Sequence, residues 1–377
     1  MAEKPLRKNP RKVAPKGAWR TKWLTLFLCS LFVGAGAFAG ARVKTSDFRV
    51  RDPYVVPCPE DGLYHLFVSD EWSGGVGVSV RTSSDLKTWS EPKKVLAIPD
   101  SWKIIDTWAP EVHRFDGKWY VFVTLGRERR DLPAMKLLST DPDFLRRYGP
   151  ESFAKRRRLG TYVFRSNELD GPYEPVADES LTPVERMALD GTLWVEDGKP
   201  YMVFSWDWPQ LGIGECAVAP LKRDLSAFEA EPKTLFRASD IATNAWKANV
   251  DGPFLYRSEK SGKLFAIWST TGLGSDFERG RPVFDGMKDG AYRVILCESS
   301  SGRLAGPWGD HRVIFSQNGG HGMFFKSFDG RLVLAIHQPE KWFFEHAAFF
   351  SVEDLGDSLA IGGIFESAGT HPAKVLK

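Results

Sequence analysis

Asp190-Gly191-Thr192-Leu193-Trp194-Val195-Glu196-Asp197-Gly198-Lys199-Pro200-Tyr201-Met202-Val203-Phe204 decides how this chain reads. A branched and aromatic run meets an Asp-Gly pair and a second such run follows, which is the signal of a β-hairpin; glycine supplies the positive φ of the turn. The same unit recurs. Asp61-Gly62, Asp116-Gly117, Ser261-Gly262 and Asp329-Gly330 each precede a run of the same kind, at 63–68, 118–123, 263–268 and 331–336. After most hairpins comes another strand, a short polar turn and an apolar closing residue, as at 83–89, 166–173, 221–225 and 299–308. Four strands per unit and five units predict an all-β chain, a five-bladed β-propeller. The blades fall at about 48–100, 107–178, 187–238, 248–316 and 317–377. No helical period competes, and the spacing leaves open which terminal strand closes the ring.

Working outward, residues 126–160 interrupt the period with Arg127, Arg129, Arg130, Arg146, Arg147, Lys155 and Arg156-Arg157-Arg158. They read as a solvated insertion with some helix, against the sharper alternative of a basic lid over an acidic glycan. The formal charge of +3 over 377 residues is misleading, because the first 22 residues hold eight Lys/Arg against one Glu. The remainder is mildly acidic, which argues against a nucleic-acid partner. The basic leader precedes an apolar run over 23–41 that ends in Gly34-Ala35-Gly36-Ala37-Phe38-Ala39-Gly40-Ala41. This reads as a signal peptide or an uncleaved signal anchor over 1–41, ahead of a propeller over 42–377. The expected location is secreted or periplasmic, with membrane attachment only through 23–41. Cys58, Cys216 and Cys297 allow at most one disulfide in the body, and their spacing suggests no metal.

In a propeller the innermost strand of each blade lines the central channel, so residues opening those strands meet at one mouth. Aligned on their hairpin turns, the units place Asp52, Ala109, Asp190, Asp251 and His321 at equivalent positions, with Glu111 two places beyond Ala109. A single aspartate before Gly or Pro is ordinarily a turn former. Three at one place in repeated units point instead to a site. Converging carboxylates suit glycoside hydrolysis: one stays ionised to activate water, another carries a proton to the leaving oxygen, and crowding keeps that proton on. Trp72, Trp102, Trp108, Trp206, Trp208, Trp246 and Trp342 are candidates to stack on sugars, with a core role the alternative for each.

With Arg51-Asp52-Pro53, Trp108-Ala109-Pro110-Glu111-Val112, the Asp190 and Asp251 strands, Gly320-His321-Gly322, and His337 before Pro339, the chain resembles glycoside hydrolase family 43. That family comprises five-bladed propeller arabinanases, arabinofuranosidases and xylosidases. The resemblance implies an inverting hydrolase of an oligo- or polysaccharide rich in arabinose, xylose or related sugars. In it Asp52 is the general base, Asp190 the carboxylate that orients the acid and tunes its pKa, and Asp251 the general acid. Trp72, Trp108, Glu111, Trp206 and Trp246 are the expected substrate contacts. It implies no cofactor for the chemistry and a structural calcium near His321. The family normally has Glu-Gly-Pro where this chain has Asp251-Gly252-Pro253. One methylene less keeps open two alternatives: an acid supplied by Glu111 or Glu215, or a catalytically impaired, glycan-binding propeller.

Overall fold

The structure is a computed structural model and describes residues 42–70, 75–127, 135, 137–147, 158–183, 185–241, 248–271, 277–278, 281–282 and 292–367. The leader expectation, Trp72, Trp246 and most of the basic insertion lie outside the described residues. Among the described residues no helix is long and apolar enough to cross a membrane.

Five four-stranded antiparallel sheets follow one another along the chain, each with its strands in sequence order from one edge to the other. The first blade is Tyr54–Cys58, Leu63–Ser69, Val78–Ser83 and Lys93–Lys94. The second is Ile104–Phe115, Lys118–Arg127, Arg158–Ser166 and Glu174–Pro175. The third is Ala188–Glu196, Lys199–Trp206, Glu215–Pro220 and Lys233–Arg237. The fourth is Asp251–Arg257, Leu264–Thr271, Tyr292–Ser299 and Trp308–Phe315. The fifth is Gly320–Lys326, Leu332–Gln338, His346–Asp354 and Leu359–Ile364. The Asp-Gly turns behave as the sequence requires: Asp116-Gly117 and Asp197-Gly198 both take positive φ at both residues, the geometry that matches strand twist.

The second strand of each blade is buried nearly throughout, because both faces of the sheet are covered by neighbouring blades. The core therefore lies between blades. Phe122 of the second blade packs with Phe204 of the third, Ala248 and Trp268 with Cys216 between third and fourth, and Phe265 with Phe324 between fourth and fifth. Each fully buried Phe contributes about 1.5–3 kcal/mol. Cys58, Cys216 and Cys297 are all free thiols.

Ring closure, which the sequence left open, uses no shared strand among the described residues. Tyr54, Leu66 and Phe67 of the first blade join one apolar cluster with Phe325, Val333 and Phe349 of the fifth. The N-terminal segment straps the seam. Val43–Lys44 pairs with Thr88–Trp89, the Val50 amide donates to the Glu345 carbonyl at 3.0 Å, and Arg49 grips the Glu345 carboxylate at 2.7 Å.

The insertion contains a described helix, Pro142–Arg147, which buries Phe144 and leaves Arg146 exposed. The helix agrees with the expectation of some helix in the insertion.

Candidate active site

The innermost strands share one irregularity. In four blades the ladder to the second strand skips two residues: Ala109-Pro110, Asp190-Gly191, Gly252-Pro253 and His321-Gly322. In the first blade Asp52-Pro53 stand just before the ladder begins at Tyr54. The first residue of each pair has left-handed backbone, with φ of 51° at Asp52, 43° at Ala109, 57° at Asp190, 50° at Gly252 and 51° at His321. For non-glycine residues this costs about 1–3 kcal/mol apiece, strain of the kind found at functional sites. The bulge lifts the backbone and turns the strand-opening side chains toward the axis.

This corrects the sequence alignment at the fourth blade. Gly252, not Asp251, is equivalent to Asp52, Asp190 and His321; Asp251 stands one place earlier, equivalent to Arg51, Trp108, Leu189 and Gly320. The hairpin turns used as anchors differ in length, two residues at Asp116-Gly117 but longer where Cys58 pairs with Leu63, so they do not fix register. The shift has a chemical result. Arg51, Trp108, Leu189 and Asp251 line a pocket of about 160 Å3 together with Asp52, Asp190, His321 and Trp342.

Three of these left-handed residues have their amides held by the second strand of the blade before. Thr124 Oγ1 accepts from the Asp190 amide at 2.9 Å, Ser269 Oγ from His321 at 2.8 Å, and His337 Nδ1 lies 3.2 Å from the Asp52 amide. The fourth blade breaks the pattern: the Gly252 amide donates to Asp190 Oδ2 at 3.0 Å, while Ser205 Oγ, buried, has no hydrogen-bond partner among the described residues. Asp190 therefore holds the backbone next to Asp251. Gly252 is needed here, because a Cβ would fall 2.7 Å from His321 Cδ2 as well as being strained by the positive φ.

Asp52 and Asp190 are buried and Asp251 is partly exposed, and the three differ electrostatically. Burial pushes the Asp52 carboxyl up, yet His321, Arg51 and His337 outweigh it and hold it well below the usual carboxylate range. Their nearest nitrogens are 3.2, 3.8 and 3.1 Å from Asp52 Oδ1. Asp251 is raised to about 7 by burial first and by the charge of Asp52, against the opposing pull of Arg51 and a hydrogen bond from Tyr292. Its Oδ2 accepts from Tyr292 Oη at 3.0 Å and from Asn249 Nδ2. Asp190 is pushed well above the usual range by burial, then by Asp251 and Asp52, despite the Gly252 amide. One pocket thus carries an ionised carboxylate and a protonated one near neutral pH.

Two histidines back Asp52. Burial lowers the His321 pKa, so the ring is neutral at pH 7. His337 is also buried, but hydrogen bonds with Asp52 and Glu340 raise it overall; its Nε2 is 2.6 Å from Glu340 Oε2. Glu340 and the fully buried Glu345 clasp Arg51 at 2.9 and 3.3 Å, fixing the guanidinium beside the pocket. Arg51, Tyr292, Asn249, Glu340 and Glu345 were missed as site residues in the sequence; Arg51, adjoining Asp52, carried the clearest signal.

Of the expected substrate contacts, Trp108 lines the pocket. Glu111 does not: it is buried behind the strand with Oε2 3.2 Å from His113 Nε2, on a residue that pairs with Phe122. Trp206 is buried against Phe204 under the Arg186 guanidinium, and its cavity, lined also by Leu138 and Pro183, is a different one. Glu215, an alternative acid, is bound to Arg237 at 2.8 Å and to Thr234 at 2.9 Å, and neither it nor Glu111 lines the pocket.

The described side chains fit a calcium at His321 poorly. Calcium takes about six to eight oxygen ligands, whereas His321 offers nitrogen and its Nδ1 already faces Asp52 Oδ1 at 3.2 Å. No group of three ligating side chains converges there among the described residues.

A family model described as glycosyl hydrolases family 43 matches residues 45–350, while no curated protein matches the chain. Solved structures similar to it include an endo-arabinase from Bacteroides thetaiotaomicron, 26% identical with a TM-score of 0.64, over 87% of this chain and 99% of that one. An endo-1,4-beta-xylanase from the same organism is 18% identical with a TM-score of 0.61, over 87% and 99%. An alpha-L-arabinofuranosidase from Lactobacillus brevis is 17% identical with a TM-score of 0.57, over 89% and 100%. Since the matched span carries the strand-opening residues of all five blades and both histidines behind Asp52, this glycosidase, which hydrolyses glycosidic bonds, belongs to glycosyl hydrolases family 43.

Proposed function

We propose that the chain hydrolyses arabinose- or xylose-containing glycans with inversion, using Asp52 as base and Asp251 as acid. The observation that carries the reading is the opposed protonation of these two residues around one pocket, Asp52 held ionised and Asp251 raised to about 7. Asp52 takes a proton from water as its oxygen attacks the anomeric carbon, and Asp251 gives its proton to the departing glycosidic oxygen. The carbon–oxygen bond breaks on the face opposite the new one, and no cofactor enters the step. Asp190 orients Asp251 through the Gly252 amide, and its own ionisation is opposed by burial and by the nearby charges of Asp251 and Asp52. Arg51 and His337 keep Asp52 charged, and no step passes through a cation at His321.

The pocket, at about 160 Å3, is smaller than the roughly 300–1,000 Å3 of sites for drug-sized ligands. Such a space suits one sugar ring, with Trp108 and Trp342 offering apolar faces. The names of the similar solved structures favour pentose glycans. Export through residues 23–41, by cleavage or as an anchor, completes the proposal and brings the enzyme to polysaccharide outside the cytoplasm.

The test is a panel of aryl arabinofuranosides and xylosides with arabinan and xylan, run on the enzyme and on Asp52→Asn. We expect sugar release by the enzyme and a fall of about 10²–10⁴-fold in the variant, with the fold retained by circular dichroism. Unchanged turnover in Asp52→Asn would sink the assignment.

A further inference from the structure

The far end of the first blade carries a second cluster, six residues along the innermost strand from Asp52 and so about 20 Å away. Cys58, Asp61 and His65 bracket the hairpin turn, and one ligating atom from each (thiol sulfur, carboxylate oxygen, ring nitrogen) lies within 4.8 Å of the others. The spacing, Cys-x2-Asp-x3-His, had suggested no metal when only the cysteines were compared. His65 is 3% exposed, and its two nitrogens do different things. Nδ1 is 2.6 Å from Asp170 Oδ1, contributed by the turn before Gly171 in the second blade; Nε2 is 2.9 Å from Asp61 Oδ2.

We propose that this cluster is a binding site for a divalent transition ion, with zinc the natural fit. Cys58 Sγ, Asp61 and His65 Nε2 supply three ligands and solvent the fourth. The donor set decides the class of ion. A sulfur ligand disfavours calcium and magnesium, while mixed sulfur, nitrogen and oxygen donors at one point suit tetrahedral zinc. Asp170 is the supporting carboxylate commonly found behind a ligating histidine: by accepting from Nδ1–H it fixes the tautomer that leaves Nε2 for the metal. Cys58 is partly exposed and Asp61 exposed, which leaves an entry path from solvent. Binding releases two protons to solvent, that of the Cys58 thiol and the one His65 Nε2 shares with Asp61, and forms metal–sulfur and metal–nitrogen bonds in their place. All three ligands fall within 58–65, so little chain entropy is lost in gathering them. Because His65 leans on Asp170, the ion would tie the first blade to the second. The rival account is a histidine that merely bridges two carboxylates through its own protons.

The experiment uses the full chain, stripped with chelator and titrated with Zn2+ and separately with Co2+. We expect one equivalent bound, a Tm that rises with Zn2+ concentration, and a Co2+ spectrum with a thiolate charge-transfer band and strong tetrahedral visible bands. Cys58→Ser should remove the charge-transfer band, and Asp170→Asn should weaken Zn2+ binding about 10–100-fold. Cys58 is only partly buried, so its variant folds and keeps the test open even if His65→Gln does not. A Co2+ complex without the thiolate band, or Zn2+ binding equal in the enzyme and in Cys58→Ser, would overturn the proposal. Hydrolytic activity is not the readout, so the result stands apart from the fate of the catalytic assignment.

Discussion

Replacing Asp251 with asparagine separates its two properties, the proton it donates and the charge it is reluctant to carry. The carboxyl sits at about 7 instead of 3.8 because it is buried near Asp52. As general acid it is worth about 10²–10⁴-fold, but only for leaving groups that need a proton. Asp251→Asn should lose that factor on xylan, arabinan and alkyl glycosides, and keep most activity on a dinitrophenyl glycoside, whose oxygen departs unprotonated. The enzyme's kcat/KM should fall about tenfold per pH unit above 7, and this alkaline limb should vanish in the variant.

Stability moves the opposite way. A carboxyl with a raised folded-state pKa binds its proton more tightly folded than unfolded, so its contribution is fully present below 3.8 and is lost as pH rises through about 7. At about 1.4 kcal/mol per tenfold in proton affinity, the loss is at most about 4 kcal/mol, less where Asp190 shares the charge. Asparagine cannot ionise, so Asp251→Asn should melt above the enzyme at pH 8 and near it at pH 4, measured by calorimetry. An equal rate loss for good and poor leaving groups, or an alkaline limb that survives the substitution, would refute the acid assignment.

Two other predictions follow from the pocket walls. Arg51 favours the ionised form of Asp251 and is clasped by Glu340 and the buried Glu345. Arg51→Met should therefore move the alkaline limb above 7 and lower Tm, because Glu345 keeps only Arg49; a limb that moves down contradicts the electrostatics. Trp342 is 56% exposed, lines the pocket and is braced by Arg49 over its ring at 5.2 Å. Trp342→Ala should raise KM about 2–10-fold through lost stacking, worth about 0.5–1.5 kcal/mol, with kcat nearly unchanged; a fall in kcat at constant KM would remove it from binding.

The propeller was legible because hairpin chemistry is local: Asp116-Gly117 and Asp197-Gly198 announce their turns with two residues each. Asp52 and Asp190 were legible for the same reason, as acids opening apolar strands. The register of the fourth blade was not. Asp190-Gly191 and Asp251-Gly252 look alike, yet the left-handed residue is the aspartate in one and the glycine in the other, a difference that only the ladder reveals. That one-place shift makes Asp251 equivalent to Arg51 and Trp108 and not to Asp52 and Asp190. Partners such as Tyr292, Asn249 and Glu340 were hidden because they reach the axis from a third strand and from loops, where no repeat marks them. Cys58, Asp61 and His65 were hidden because a turn brings together residues whose types differ.

The central claim is that water attacks the sugar from Asp52 while Asp251 protonates the opposite side. The most direct measurement is proton NMR of the first-formed sugar during hydrolysis of an aryl α-L-arabinofuranoside or β-D-xyloside. The account predicts that the anomer opposite to the substrate's appears first and later mutarotates. First appearance of the same anomer as the substrate would contradict it.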